Sequence, residues 1–195
     1  MIMKRVVCRL WVAMTIAAVA ALGMTSCESL LGGEGGEVGL SYLEKDVDFE
    51  AVSVTAKRFS GIASTFQNYD NFTFEFVGAD RSGVKDVLTL DLLAPKGTTD
   101  PAGEYVVGYG GDFVALSRYD VLDPTTNISY SGGSFYAEAM GGHISNYYGF
   151  LTEGRITISR EGENEYRVVV NAKSMKHSVQ MTYAGDWRLV EVTGE

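Results

Sequence analysis

Histidine and cysteine, which often carry chemistry near neutral pH, are scarce in this sequence. The 195 residues contain two histidines, His143 and His177, and two cysteines, Cys8 and Cys27. Histidine is the usual general base because its pKa lies near neutrality, and cysteine is a preferred ligand of zinc. No serine has the strand–turn–helix surroundings of a nucleophile elbow. We therefore predict no catalytic residues and no enzyme, with both histidines solvated, one in a loop and the other at a turn.

Carboxylates are the remaining reactive groups. Asp46 with Asp48 and Asp120 with Asp123 could offer oxygens to calcium, but neither pair follows the alternating acid pattern of a calcium loop. The sequence therefore predicts no metal site and no cofactor. A hydrolase that uses two acids stays open as an alternative, because the spatial separation of carboxylates cannot be read from a sequence.

Aromatic side chains are concentrated among polar ones between residues 105 and 150. A tyrosine combines an apolar ring face with a polar hydroxyl, so a group of tyrosines can stack on a sugar or grip a peptide. We expect this stretch to form long loops that bind a glycan or a protein partner. The alternative is that the tyrosines belong to the core and rim of the fold. The candidate ligand-binding residues are Tyr119, Tyr130, Tyr136, His143, Asn146, Tyr147 and Tyr148.

Composition limits the class of protein. The apolar content of 46% excludes a wholly disordered chain, and 195 residues leave room for one ordinary domain. A formal net charge of -9 argues against nucleic acid as a partner, since binding to phosphates needs an excess of Lys and Arg.

The elements that must position these residues are strands, because the hydrophobic period is two from about Val47 onward. Phe72, Phe74 and Phe76 alternate with polar residues, which is typical of a half-buried strand. The same alternation recurs in residues 88–92, 105–109, 155–159, 166–171, 179–183 and 187–189.

Short connections rich in turn residues link these strands, as in residues 78–83 and 161–164. Such loops join neighbouring antiparallel strands, whereas parallel strands need a long crossover. We predict an all-β domain, an antiparallel meander of about 8–10 strands. A calycin-like β-barrel is preferred and a β-sandwich is the alternative, since either arrangement protects the sheet edges. A barrel of this size could also enclose a small apolar ligand, as in lipocalins.

The amino-terminal segment has the pattern of an export signal. Lys4, Arg5 and Arg9 precede residues 10–22, which carry no charge and are nearly all apolar. Thirteen helical residues rise roughly 20 Å, less than the ~30 Å hydrocarbon core of a bilayer, so a permanent membrane span is disfavoured.

The segment Gly23-Met24-Thr25-Ser26-Cys27 follows the apolar run and resembles a bacterial lipobox. The resemblance implies cleavage before Cys27 and acylation of its sulfur, which would anchor the protein to a membrane. The alternative is an ordinary secretory signal that is cleaved elsewhere. The predicted organisation is a signal peptide over 1–26, the lipidated cysteine with a flexible Gly/Glu tether over 27–45, and one all-β domain over 46–195.

Two further stretches resemble small lipoproteins of Bacteroidetes-type bacteria. One is the acidic, glycine-rich tether, and the other is the run over 88–94 followed by Pro101-Ala102-Gly103-Glu104-Tyr105 and the strands over 154–173. The resemblance implies a fold and an envelope location at the outer membrane, facing either side, and it brings no activity. Removal of the leader leaves 13 basic against 25 acidic residues, a net charge of -12 that favours solubility.

Overall fold

The computed structural model describes residues 46–61, 66, 68–123, 128–175 and 177–194. The predicted signal peptide, the lipidation site Cys27 and the tether lie outside these residues. Within them, no helix has the length and apolar character needed to cross a membrane.

The described residues form twelve strands, which confirms the all-β prediction. Their bounds are β1 (Val47–Gly61), β2 (Tyr69–Gly78), β3 (Val84–Pro95), β4 (Gly103–Gly108), β5 (Val114–Leu116), β6 (Arg118–Asp123), β7 (Ile128–Gly133), β8 (Phe135–Met140), β9 (His143–Arg160), β10 (Glu165–Ser174), β11 (His177–Asp186) and β12 (Leu189–Gly194).

Ten of the strands belong to one large sheet, and its pairings lead back to the starting strand. From β1 the ladder passes through β2, β3, β8, β9, β10 and β11 and returns to β1. The short strands β4 and β5 pair between β9 and β3 along the rest of their length. This barrel-like connectivity leaves few unpaired edges. β6 and β7 form a separate two-stranded sheet, called the arm below.

The large sheet is mixed rather than wholly antiparallel as predicted. β1 runs parallel to β11 where Val47 pairs with Val179, and parallel to β12 where Ala56 pairs with Leu189. β1 is the first strand of the domain, and β11 and β12 are its last two, so no short loop connects the paired strands. The expectation that a short loop joins antiparallel neighbours therefore does not apply to these pairs. β4 and β5 are also parallel, over three residue pairs.

The described residues between 105 and 150 lie mostly in strands β4 to β9 rather than in the long loops predicted. His143 begins β9 and pairs with Met140. Gly141 and Gly142 make the connection, with φ of +60° and +83°. Two successive positive φ angles match a two-residue hairpin turn, and this turn is why His143 lies in a strand instead of a loop.

The core lies on the inner face of the large sheet, where the predicted alternation holds. Phe72, Phe74 and Phe76 of β2 are at most 1% exposed, and so are the inward leucines of β3. Trp187 packs over this core, with its ring 4.3 Å from that of Tyr166. Large side chains therefore fill the interior.

Truncation of a core side chain gives a direct test of this packing. Leu90 is fully buried, so Leu90→Ala should lower the free energy of unfolding by about 2–5 kcal/mol through lost burial and a cavity. Val52→Ala is the control, since Val52 is 65% exposed and its truncation should change stability by less than about 0.5 kcal/mol. Urea unfolding measures both, and equal effects would contradict the assignment of the core.

Candidate binding surface

Three of the predicted site residues, of which Asn146 is exposed, bond to buried carboxylates of the fold. The Tyr136 hydroxyl donates to Asp86 Oδ1 at 2.6 Å. The Tyr148 hydroxyl and the Asn146 amide donate to Glu138 Oε2 at 2.9 and 3.0 Å. Burial, followed by the neighbouring Glu138, raises the pKa of Tyr148 to about 12. These side chains satisfy buried carboxylates, a structural role that fits the alternative of a tyrosine-rich core and rim.

Asp86 and Glu138 face each other across β3 and β8. Asp86 is 2% exposed and Glu138 is 8% exposed, and Arg81 makes an ion pair with Asp86 at 2.5 Å. Both carboxylates are thus already bonded and nearly closed to solvent. This arrangement leaves a substrate little surface to contact, which weighs against a hydrolase built on this pair.

The two histidines differ in their surroundings. His143 is exposed at the start of β9. His177 is 4% exposed and packs edge-on against the ring of Tyr148 at 5.3 Å, so the prediction of a solvated residue is wrong for it. The reason is its position at the start of β11, where its side chain points to the inner face of the sheet.

Tyr147 lies on the outer face, where it joins two phenylalanines. Its ring centroid is 5.5 Å from that of Phe135 and 5.9 Å from that of Phe150, and the two phenylalanine rings are 6.2 Å apart. The guanidinium of Arg118 lies 5.9 Å from the Phe150 centroid, within range of a cation–π contact. We call Arg118, Phe135, Tyr147 and Phe150 the outer aromatic patch.

A β-bulge brings the patch together. Tyr147 and Phe150 are three residues apart, so in a regular strand they would point to opposite faces. The β8–β9 register skips Tyr148, and this extra residue turns Tyr147 and Phe150 to the same side. The alternation of residue types in the sequence does not reveal this bulge.

Arg118 connects the patch to polar groups of the arm. Arg118 makes an ion pair with Asp120 at 3.3 Å, and the Ser131 hydroxyl donates to the same carboxylate oxygen at 2.5 Å. The hydrogen bond from Ser131 lowers the pKa of Asp120 most, and the charge of Arg118 lowers it further. Partial burial raises the pKa of Tyr147 to about 12, while Arg118 acts in the opposite direction. At neutral pH the patch therefore offers ring faces, a protonated phenol, a cation and a carboxylate.

Tyr147 is 51% exposed, which makes its ring available to a ligand. Sequence reasoning missed Arg118, Phe135 and Phe150 as site members. Their aromatic and cationic character is visible in the sequence, but the shared face depends on the bulge and on the position of the arm.

Tyr119 points away from the patch, toward the large sheet. Its hydroxyl donates to Asp91 Oδ2 at 2.8 Å, while the amide of Asn71 donates to the other carboxylate oxygen. Asp91 is 3% exposed, and burial raises its pKa. Tyr130 pairs through its backbone with Val121 in the arm, and its side chain lies outside the described part of the structure.

The described residues contain no group of three or more His, Cys, Asp or Glu side chains that could hold a metal ion. No protein-family model matches the chain, and no characterised protein or solved structure matches it significantly.

The buried Asp91 predicts a distinctive pH dependence. Its pKa is raised by burial above the unfolded value of about 3.9, so its stabilising contribution is complete below that value and is lost as pH rises through the folded pKa. Asp91→Asn removes this titration. The variant should therefore lose less stability than the wild type between about pH 4 and pH 7.

Urea unfolding at several pH values measures this difference. Asp120→Asn is the matched control, because Asp120 is exposed and its pKa is lowered, so its contribution is lost as pH falls instead. Parallel pH profiles for Asp91→Asn and the wild type would contradict the assignment to Asp91.

Proposed function

We propose that this protein is a lipid-anchored lipoprotein of the bacterial envelope whose β-domain binds a glycan, without catalysis, through the outer aromatic patch. The observation that carries the proposal is the grouping of two phenylalanine rings around the half-exposed Tyr147 on a strand surface, beside the Arg118–Asp120 pair.

The chemistry of the patch suits a sugar ring. The C–H face of a pyranose can stack on Tyr147, because an aromatic face offers an apolar and weakly negative surface. Hydroxyl groups at the edge of the sugar need both donors and acceptors, and Arg118, Asp120 and Ser131 supply both. The Arg118–Asp120 pair is close to neutral in sum, and the chain is strongly acidic, which favours a neutral glycan over an anionic one.

The interior is less suited to a ligand than the surface. The inner face is occupied by fully buried side chains, among them Phe74, Leu90, Tyr105, Tyr136 and Met181. A lipocalin-like carrier needs open apolar volume at this place. The packing therefore supports a surface-binding module over the carrier alternative.

Removal of the Tyr147 ring tests the glycan proposal. An array of neutral polysaccharides should identify a binder of the wild type, and Tyr147→Ala should weaken it by roughly tenfold, which corresponds to about 1.4 kcal/mol of lost stacking. Tyr109→Ala is the matched control, since Tyr109 is a 68% exposed tyrosine outside the patch. Isothermal titration calorimetry measures both affinities, and an equal loss of affinity in the two variants would contradict the proposal.

The anchor is tested independently of the ligand. In a bacterial host that processes lipoproteins, the full chain should incorporate labelled palmitate and sediment with membranes, because buried acyl chains hold a protein on a bilayer. Cys27→Ser should abolish both properties, whereas Cys8→Ser should retain them, since Cys8 lies in the predicted leader. Labelling that survives Cys27→Ser would refute the proposed anchor.

A further inference from the structure

The arm shares no strand pairing with the large sheet in the described part of the chain. β6 begins and β7 ends at the same place, which we call the root of the arm. The backbones of Ser117 and Gly133 are in close contact there. A Cβ on Gly133 would lie 1.5 Å from the carbonyl oxygen of Ser117, so only glycine fits there. The Ser134 amide donates to the Leu116 carbonyl at 2.8 Å beside the same root. Other contacts must hold the rest of the arm against the sheet.

Tyr119 provides such a contact. Its ring covers Gly132 so closely that a Cβ at that position would lie 2.4 Å from the Tyr119 Cζ atom. The ring meets Phe66 edge-on at 5.5 Å and joins a small apolar cluster with Leu93 and Val114. The hydroxyl then reaches Asp91 beneath it.

Asp91 determines which position of the arm this contact favours. The carboxylate is nearly fully buried on β3, and in the described residues its side-chain donors are two neutral groups, Tyr119 and Asn71. Its backbone amide donates to Ser134 Oγ at 3.0 Å, which ties the start of β8 to the same point. A buried carboxylate that loses a donor is destabilised, so Asp91 favours the position of the arm in which Tyr119 reaches it.

Arg118 precedes Tyr119 on β6, and consecutive residues of a strand point to opposite faces. As Tyr119 turns toward Asp91, Arg118 therefore turns outward over Phe150. We infer that the Tyr119–Asp91 hydrogen bond is a latch that holds the arm on the sheet and positions Arg118 at the outer aromatic patch. Tyr119 and Asp91 are then positioning residues of the binding surface, and this purpose rests on the proposed function.

Amide hydrogen exchange on the full-length protein tests the latch without any ligand. Tyr119→Phe should accelerate amide exchange in β6 and β7 by tenfold or more relative to exchange in the large sheet. NMR should show that the shift of the Arg118 Nε proton caused by the Phe150 ring moves toward its random-coil value. Asp91→Asn retains an acceptor for Tyr119, so the arm should stay protected in that variant.

Tyr136→Phe is the matched control, because it removes a buried tyrosine–aspartate hydrogen bond of the same kind, made by Asp86 on the opposite face of β3. It should leave the exchange of the arm relative to the sheet unchanged. Three results would each overturn the latch. They are an unchanged amide exchange rate of the arm in Tyr119→Phe, an equal acceleration of that exchange in Tyr136→Phe, and an unchanged chemical shift of the Arg118 Nε proton in Tyr119→Phe. Neither measurement uses a glycan. A glycan array without any binder would therefore refute the proposed function, whereas the exchange and NMR results alone decide whether the latch exists.

Discussion

Each strand of the large sheet has one face committed to the interior, and this constraint governs the rest of the structure. The ladder closes on itself, so inward side chains meet one another and fill the space between the strands. Only outward residues, and those at the rims, are left for contact with other molecules. The division explains why Tyr136 and Tyr147, both on the β8–β9 hairpin, have opposite exposure to solvent.

The interior of this fold is not purely apolar. At the end where β3 begins, Asp86 and Glu138 are buried among tyrosine hydroxyls, an asparagine amide and one arginine. Buried carboxylates are tolerated when donors satisfy them, and a fully bonded set fixes a single arrangement of side chains. Several tyrosines that suggest a binding loop in the sequence are used in this way, as hydrogen-bond donors of the core rim.

The proposed binding surface depends on two local departures from regular structure. The bulge at Tyr148 places Tyr147 and Phe150 on one face, and the arm brings Arg118, Asp120 and Ser131 beside them. The bulge lies within the β8–β9 ladder of the large sheet, whereas the arm shares no strand pairing with that sheet in the described residues. The closed sheet thus supports an outer surface whose exposed side chains are not constrained by the packing of the core.

The sequence alone determined the fold class, because a period of two in Phe72–Phe76 or Leu88–Leu92 has no other stable interpretation than a half-buried strand. It also placed Tyr147 among the candidates and predicted an anchor at Cys27. Tertiary structure decided the parallel pairing of β1, the burial of His177 and the separation of Tyr136 and Tyr148 from Tyr147. These outcomes depend on contacts between distant segments and on a one-residue register shift, which reverses the face of every following side chain and leaves no mark in local composition.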